Sequence, residues 1–202
     1  MLGLNSIILQ TEGFGIGIET VILFVAVFLG TTYFLNRRNQ KADNQINQKV
    51  TKLDPNIYQS VTNIYFTDPE DKIDQIIFSI YGIFVIKHVA VSGNVTGSEN
   101  DQQWTAKTKW RTKSFDNPIK ENQRLTQVLI DKLNLKDKNI YPIVTFSDKA
   151  KLNLDQSTID SHHVISAEQL SKTIEQYQTP QLSKKKISEL VEKLEAKEKE
   201  VK

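Results

Sequence analysis

The fold of this chain is decided by residues 73–91, which read Ile-Asp-Gln-Ile-Ile-Phe-Ser-Ile-Tyr-Gly-Ile-Phe-Val-Ile-Lys-His-Val-Ala-Val. Two apolar runs, 73–79 and 83–91, are separated by Tyr81-Gly82, and a glycine at that place is typical of a tight turn. The second run is apolar at almost every position, as in a strand buried on both faces. The stretch therefore predicts a hairpin inside a sheet.

Three polar side chains in this hairpin are candidates for chemistry. Because side chains alternate between the two faces of a strand, we expect Asp74 and Lys87 to project from the same face of the sheet. His88 then projects from the opposite face and is expected to be a packed residue rather than a general base.

The flanking segments predict the remaining elements. Further strands are expected at 57–66, 140–146 and 164–165. A helix is expected to begin at Asn117-Pro118, with the asparagine as N-cap and the proline as first helical residue, and to end near residue 134. The predicted fold class is α/β (α+β), with a central mixed sheet flanked by helices.

An apolar segment near the N-terminus predicts a membrane anchor. Glu19 is its single charged residue, and its length matches the hydrocarbon layer of a bilayer. Basic residues follow the segment and none precedes it, which indicates a single-pass protein of the cell membrane with a cytoplasmic C-terminal domain. We divide the chain into an extracytoplasmic N-terminus, a transmembrane helix, a juxtamembrane connector, a folded domain and a charged C-terminal helix or tail, with the bounds 1–13, 14–36, 37–49, 50–179 and 180–202.

Composition excludes several kinds of site. The chain has 202 residues, no cysteine and three histidines, which rules out a disulfide framework and thiolate zinc sites. The net charge of +2 gives no support for nucleic-acid binding through bulk charge.

The terminal segment 180–202 is rich in Lys and Glu and carries one apolar stripe, which predicts a solvated amphipathic helix.

One local stripe of positive charge stands out. Basic residues occupy every second position, and a strand would place all of them on one face with tryptophan on the other. Such a face suits contacts with a phosphate backbone, and an ordinary solvated strand face is the alternative. The candidate nucleic-acid-binding residues are Lys107, Lys109, Arg111, Lys113 and Trp110.

Several motifs of this chain resemble the nuclease-related domain (NERD) family. Members carry an Ile-Asp-His strand and a Tyr-Gly-Ile-Phe-Val-Ile strand start followed by Glu-x-Lys, and residues 72–86 are similar to these. The resemblance covers roughly residues 50–177, and its further motifs are Ser92-Gly93, Gly97, Trp104, Phe115-x-Asn117-Pro118 and the strand at 140–147.

The resemblance implies a PD-(D/E)XK nuclease-like fold, in which two acidic groups hold a divalent cation and a lysine helps to activate water. Asp74 matches the family aspartate and is the implied metal ligand. Lys87, however, stands where the family has its glutamate, and Val89 where it has its lysine. The catalytic motif is thus degenerate, and an ion pair between Asp74 and Lys87 is the favoured alternative to a metal site.

Three functions remain open at this point. The favoured one is a catalytically impaired, membrane-anchored module that binds DNA or a protein partner, with no cofactor. The second is an active Mg²⁺-dependent DNA nuclease in which Asp74 and Glu121 bind the metal and Lys87 replaces the displaced lysine. The third is a structural component of a membrane complex that binds protein partners through the transmembrane helix or the C-terminal tail.

Overall fold

The computed structural model describes residues 53–66, 71–135 and 139–201 of the 202-residue chain, with backbone alone for 197–201. The expected outer segment, transmembrane helix and connector lie outside these residues. In the described ranges, no helix is long and apolar enough to cross a membrane. The described elements belong to a compact unit that extends over Ala42–Lys202.

The described part of the chain is a mixed α/β structure with two sheets. In chain order its elements are β1 (Tyr58–Tyr65), β2 (Lys72–Ser79), β3 (Gly82–Val89), β4 (Gly93–Thr96), β5 (Gln103–Lys107), β6 (Thr112–Asp116), α1 (Pro118–Leu133), β7 (Ile140–Phe146), β8 (Ala150–Leu152), α2 (Gln156–Ser161), β9 (Val164–Ser166), a 3-10 turn (Ala167–Gln169), α3 (Leu170–Glu175) and α4 (Lys184–Val201).

The first sheet has the order β1-β2-β3-β7-β9 and contains the predicted hairpin. Strands β1, β2 and β3 are antiparallel, and β3, β7 and β9 are parallel. Ser79 pairs with Gly82 at the turn, and Gly82 has a φ of +149°. A Cβ atom there would lie 2.4 Å from Cε2 of Tyr141, so both the backbone and the available space require glycine.

Alternation along β2 and β3 gives this sheet two apolar faces. Ile76, Phe78 and Val85 project toward α1, where they pack with Leu125 and Leu129. The other face packs on α3 through Phe84, Ile86, Leu170 and Ile174. Helix α1 begins as predicted, because the Asn117 side chain accepts the N–H groups of Ile119 and Lys120. The sequence pattern of the central strands therefore fixes which side chains face α1.

The C-terminal helix differs from the expectation of a solvated tail. Its apolar stripe is buried against the α1 side of the first sheet, with Ile187, Leu190 and Leu194 at most 4% exposed. The Lys193 ammonium also donates to the carbonyl of Leu133 at the end of α1. The stripe covers apolar surface that α1 leaves open, so it is part of the domain core.

A second sheet, of order β6-β5-β4-β8, is present in addition to the predicted central mixed sheet. It packs on the end of the first sheet through an apolar cluster, in which Trp104 stacks on Phe146 with ring centroids 6.1 Å apart. Strands β4 and β8 are parallel, whereas β4, β5 and β6 form an antiparallel meander. The domain therefore has two sheets that share one apolar cluster.

Residues 107–113 do not form one continuous strand, so the single basic face that a strand would create there is absent. Residue Thr108 closes a turn there: its N–H donates to the Arg111 carbonyl at 2.8 Å, and its hydroxyl oxygen accepts the Arg111 N–H. Strand β5 ends at Lys107 and β6 begins beyond the turn, so the alternation of faces is interrupted. Lys107 pairs with Thr112 and Lys113 pairs with Ala106, which places the two lysines on opposite faces of the hairpin.

Candidate functional site

The candidate catalytic residues Asp74, Lys87 and Glu121 come together on the α1 side of the first sheet. Asp74 lies on β2 and Lys87 on β3, on the same face as predicted, and Glu121 is in the first turn of α1. Because the Asn117 cap fixes where α1 begins, it also fixes the height of Glu121 above the sheet. The three residues form a cluster that we call the ion-pair site.

The Lys87 ammonium occupies the centre of the ion-pair site. Its Nζ atom donates to Oε1 of Glu121 at 2.6 Å and lies 3.7 Å from Oδ2 of Asp74. The Lys87 side chain is 18% exposed, so solvent screens these contacts only in part. The short contact joins strand to helix as a charge-assisted hydrogen bond.

Asp74 has further partners on both of its oxygens. Oδ2 accepts the backbone N–H of His88 at 2.9 Å, and Oδ1 lies 3.6 Å from the ammonium of Lys72. Together with Lys72, the ion-pair site has two carboxylates and two ammonium groups, so the formal charges cancel. Sequence reasoning missed Lys72, although its position two residues before Asp74 on the same strand face would have indicated it.

The side chains of the ion-pair site do not fit a Mg²⁺ ion. Mg²⁺ takes oxygen ligands in octahedral geometry, commonly one or two carboxylates and several waters. Here a fixed ammonium lies between the carboxylates, where a cation would have to bind. Among the residues that the structure describes, no group of three or more His, Asp or Glu side chains is arranged to hold a metal.

Position 89 also departs from what the resemblance implies. Val89 is 8% exposed and belongs to the apolar cluster around Trp104 and Phe146. Its side chain has no group that donates a proton or orients water. The lysine that the family carries at this place therefore has no counterpart on β3 beyond Lys87.

His88 lies on the opposite face of the sheet, as predicted, in a polar network. Its Nδ1 atom is 2.6 Å from the hydroxyl of Thr145, and its Nε2 atom is 3.1 Å from Oε1 of Gln75. Burial lowers the pKa of His88 to about 4, against the opposing influence of the Asp74 carboxylate. The imidazole is therefore neutral near pH 7 and serves packing, not proton transfer at the ion-pair site.

An open groove of about 910 Å³ lies beside Glu121. Its walls come from the start of β5, the end of β6 and the first turns of α1, and they carry amide, carboxylate and basic groups. The lining residues are Gln102, Gln103, Asp116, Asn117, Lys120, Glu121 and Arg124. Sequence reasoning did not find this groove, because residues from the start of β5, the end of β6 and α1 meet there only in the folded chain.

Asn117 holds one rim of this groove in place. Its Nδ2 atom donates to the carbonyls of Ser98, Glu99 and Asp101, and its Oδ1 atom caps α1. The predicted N-cap therefore has a second role that sequence spacing alone does not indicate. These hydrogen bonds join the segment before β5 to the start of α1.

The predicted nucleic-acid-binding residues lie elsewhere. Lys107, Lys109, Trp110, Arg111 and Lys113 surround the turn between β5 and β6. The groove uses Gln103 and Asp116, which pair at the opposite end of the same two strands. The structure therefore does not bring these basic residues together with Asp74 or Glu121.

Comparison with known proteins agrees with the motifs. The model of the nuclease-related domain (NERD) matches residues 38–147, which is more than half of the chain. An uncharacterised protein of Bacillus anthracis is 25% identical over 156 residues, covering 76% of this chain and 73% of its own length. No solved structure matches. The chain therefore belongs to the nuclease-related domain family.

Proposed function

We propose that this chain is a membrane-anchored NERD protein with a PD-(D/E)XK nuclease-like domain that binds DNA without cleaving it. The observation that carries the proposal is the position of the Lys87 ammonium, 2.6 Å from Glu121 and 3.7 Å from Asp74. It neutralises the two carboxylates that a divalent metal would need.

A metal ion at this site would compete with the Lys87 ammonium for the place between the two carboxylates. Two unit charges of the same sign at 4 Å repel by roughly 4 kcal/mol at the effective dielectric of a protein surface. A metal ion between Asp74 and Glu121 would meet that repulsion from Lys87, and would also have to break a short charge-assisted hydrogen bond. Without the metal, the chain has no Lewis acid to polarise phosphate or to lower the pKa of the attacking water.

Binding to DNA rests on the groove beside the ion-pair site. The amides of Gln102 and Gln103 and the ammonium of Lys120 line it, and groups of these types contact phosphate and sugar oxygens. A protein partner for the same groove is the alternative, and the absence of salt-sensitive DNA retention would favour it. Under this proposal the domain faces the cytoplasm and is held at the membrane by residues 14–36.

A second candidate function is an active Mg²⁺-dependent nuclease with a migrated site. The convergence of Asp74, Lys87 and Glu121 favours it, because these are the two carboxylates and the lysine that such a site requires. It would require the Lys87 side chain to swing away from Glu121 when metal binds.

The test is a cleavage assay with the full chain in detergent. Plasmid, linear and single-stranded DNA are incubated with Mg²⁺ or Mn²⁺, with Asp74→Ala as the matched variant. We expect no cleavage by either protein and retention of DNA that weakens as salt is raised. Metal-dependent cleavage by the unaltered chain that Asp74→Ala abolishes would overturn the proposal in favour of the migrated site.

The membrane arrangement has its own test. Protease added to intact cells should leave the domain uncut, whereas protease added to inverted membrane vesicles should cleave it at exposed lysines such as Lys184 and Lys185. Cleavage at these lysines in intact cells would place the domain outside.

A further inference from the structure

One end of the second sheet carries a dense group of positive charges around an exposed tryptophan. Strands β4 and β8 begin at this end, β5 ends there and β6 starts there. We call it the basic tip, and it comprises Lys107, Lys109, Trp110, Arg111, Lys113, Lys149 and Lys151.

The basic tip is strongly asymmetric in charge. Its three segments, 92–94, 107–113 and 147–151, contain the six basic residues just named and one acidic residue, Asp148, which has an interaction partner of its own. Asn94 on β4 pairs with Lys107 on β5 and with Lys151 on β8, so these two lysines lie side by side with Asn94 between them, on the same face of the sheet. A net excess of positive charge at one end of the sheet attracts an anionic partner.

Trp110 is the apex of this end and is 87% exposed, whereas Trp104 in the same hairpin is fully buried. An exposed indole among lysines suits a membrane interface, because tryptophan combines an apolar ring with an N–H group that stays hydrated among the headgroups. The Lys109 ammonium lies 5.2 Å from the centre of the indole ring, so one face of the ring already has a cation as neighbour.

The basic tip is separate from the groove of the proposed function. The groove is lined by Gln103 and Asp116, at the other end of β5 and β6. Five residues of strand at about 3.3 Å each put roughly 13 to 17 Å between the two ends. A ligand in the groove therefore does not account for the exposed indole.

The shape of the basic tip selects among anionic partners. Lys107 and Lys113 lie on opposite faces of the hairpin, so the charges surround an apex and do not follow one line, as a phosphate backbone along a strand face would require. A flat anionic surface contacts such an apex end-on, with the indole among the headgroups and the lysine stems extended around it.

We propose that the basic tip docks on the surface of an anionic lipid bilayer. This contact goes beyond the proposed function and is additional to any transmembrane anchor. Each cation close to such a surface strengthens the contact about fivefold. Docking would hold the domain in one orientation on the bilayer, with the groove at the end of the sheet that points away from the lipid.

The test follows Trp110 in the full chain reconstituted into vesicles. One set contains phosphatidylcholine alone and the other equal parts of phosphatidylcholine and phosphatidylglycerol, both with brominated acyl chains that quench tryptophan. Trp104 and Trp110 are the two tryptophans of the chain, so the difference between the unaltered protein and Trp110→Phe isolates the signal of Trp110. The comparison is between lipid compositions, so it does not depend on how the chain is anchored.

We expect quenching and a shift of Trp110 emission to shorter wavelength in the anionic vesicles and neither in phosphatidylcholine. Molar salt should remove both effects, because it shortens the Debye length to about 3 Å. The double variant Lys109→Glu, Arg111→Glu should lose them. The matched double variant Lys172→Glu, Lys185→Glu, with the same change of charge at exposed positions on α3 and α4, should keep them.

Two results would overturn the proposal. The first is quenching that is equal in both lipid compositions or missing from both. The second is an emission shift of Trp110 on addition of single-stranded DNA, dependent on Lys109 and Arg111, with no response to anionic lipid. That second result would assign the basic tip to nucleic acid.

Discussion

The ammonium of Lys87 donates a 2.6 Å hydrogen bond to a carboxylate oxygen of Glu121, and this contact joins the central strand β3 to the first turn of α1. The same ammonium lies 3.7 Å from Asp74, so one cation serves carboxylates on a strand and on a helix. In a NERD domain that keeps its Glu-x-Lys motif, the charge at position 87 would be negative. The reversal of that one charge is the physical basis of the proposed loss of catalysis.

Removal of the cation should destabilise the domain. The variant Lys87→Met keeps most of the unbranched side chain and leaves Glu121 and Asp74 without their common partner. We expect a loss of about 1 to 2 kcal/mol of unfolding free energy, discounted for partial exposure. Urea denaturation followed through the buried Trp104 measures it. A double-mutant cycle with Glu121→Gln should show coupling. Lys72→Met should cost less, because it removes a 3.6 Å contact with Asp74 and leaves the 2.6 Å hydrogen bond between Lys87 and Glu121 in place.

Reversal of the charge should create a metal site. The variant Lys87→Glu would gather three carboxylates, so it should be less stable without metal and should gain stability from Mg²⁺ or Mn²⁺. The single change is preferred to a double change that also restores a lysine at position 89, because Val89 is packed in an apolar cluster and its replacement would disturb that packing. Thermal melting with and without metal tests this. An equal rise in Tm for the unaltered chain would contradict the account.

His88 should make stability depend on pH. Burial lowers the pKa of His88 to about 4, while the unfolded chain binds the same proton near pH 6.5. Between these values the unfolded state holds more protons, so stability falls as pH falls. From pH 7 to pH 5 the loss due to this group is about 2 kcal/mol. The variant His88→Gln has no imidazole to titrate. Its free energies of unfolding at pH 7 and pH 5, measured by denaturation, should therefore differ by about 2 kcal/mol less than those of the unaltered chain.

Asn117 should contribute through two separable sets of contacts. Asn117→Ser keeps an oxygen that can cap α1 but loses the N–H groups that bind the carbonyls of Ser98, Glu99 and Asp101. Asn117→Ala loses both sets and should cost about 1 kcal/mol more than Asn117→Ser, which is the usual value of an N-cap. Denaturation of the two variants gives the difference. Equal stabilities would mean that the cap contributes nothing.

Much of the first sheet was predictable because local patterns and the tertiary structure agree there. The alternation around Gly82 placed Asp74 and Lys87 on one face and His88 on the other, and the structure confirms it. The start of α1 was equally clear from Asn117 and Pro118. The contact between Lys87 and Glu121 joins residues 34 positions apart, and spacing alone could not establish it.

Other features depend on contacts that a sequence does not display. The alternation of basic residues imitates a strand over 107–113, but the Thr108 hydroxyl and backbone close a turn instead. The stripe on α4 indicated an amphipathic helix, but the expectation that this helix is solvated was wrong, because the surface that covers Ile187, Leu190 and Leu194 is formed by distant parts of the chain. The groove beside Glu121 is formed where residues of β5, β6 and α1 meet, and no local pattern in the sequence indicates it.

The central claim is that Lys87 occupies the place of a divalent cation, and titration calorimetry with Mn²⁺ tests it most directly. Mn²⁺ is added to the full chain, to Lys87→Glu and to Asp74→Ala under the same conditions. The account predicts no heat beyond dilution for the unaltered chain and for Asp74→Ala, and a binding isotherm for Lys87→Glu. Binding of Mn²⁺ by the unaltered chain that Asp74→Ala abolishes would contradict it and would make Glu121 the first candidate for the second ligand.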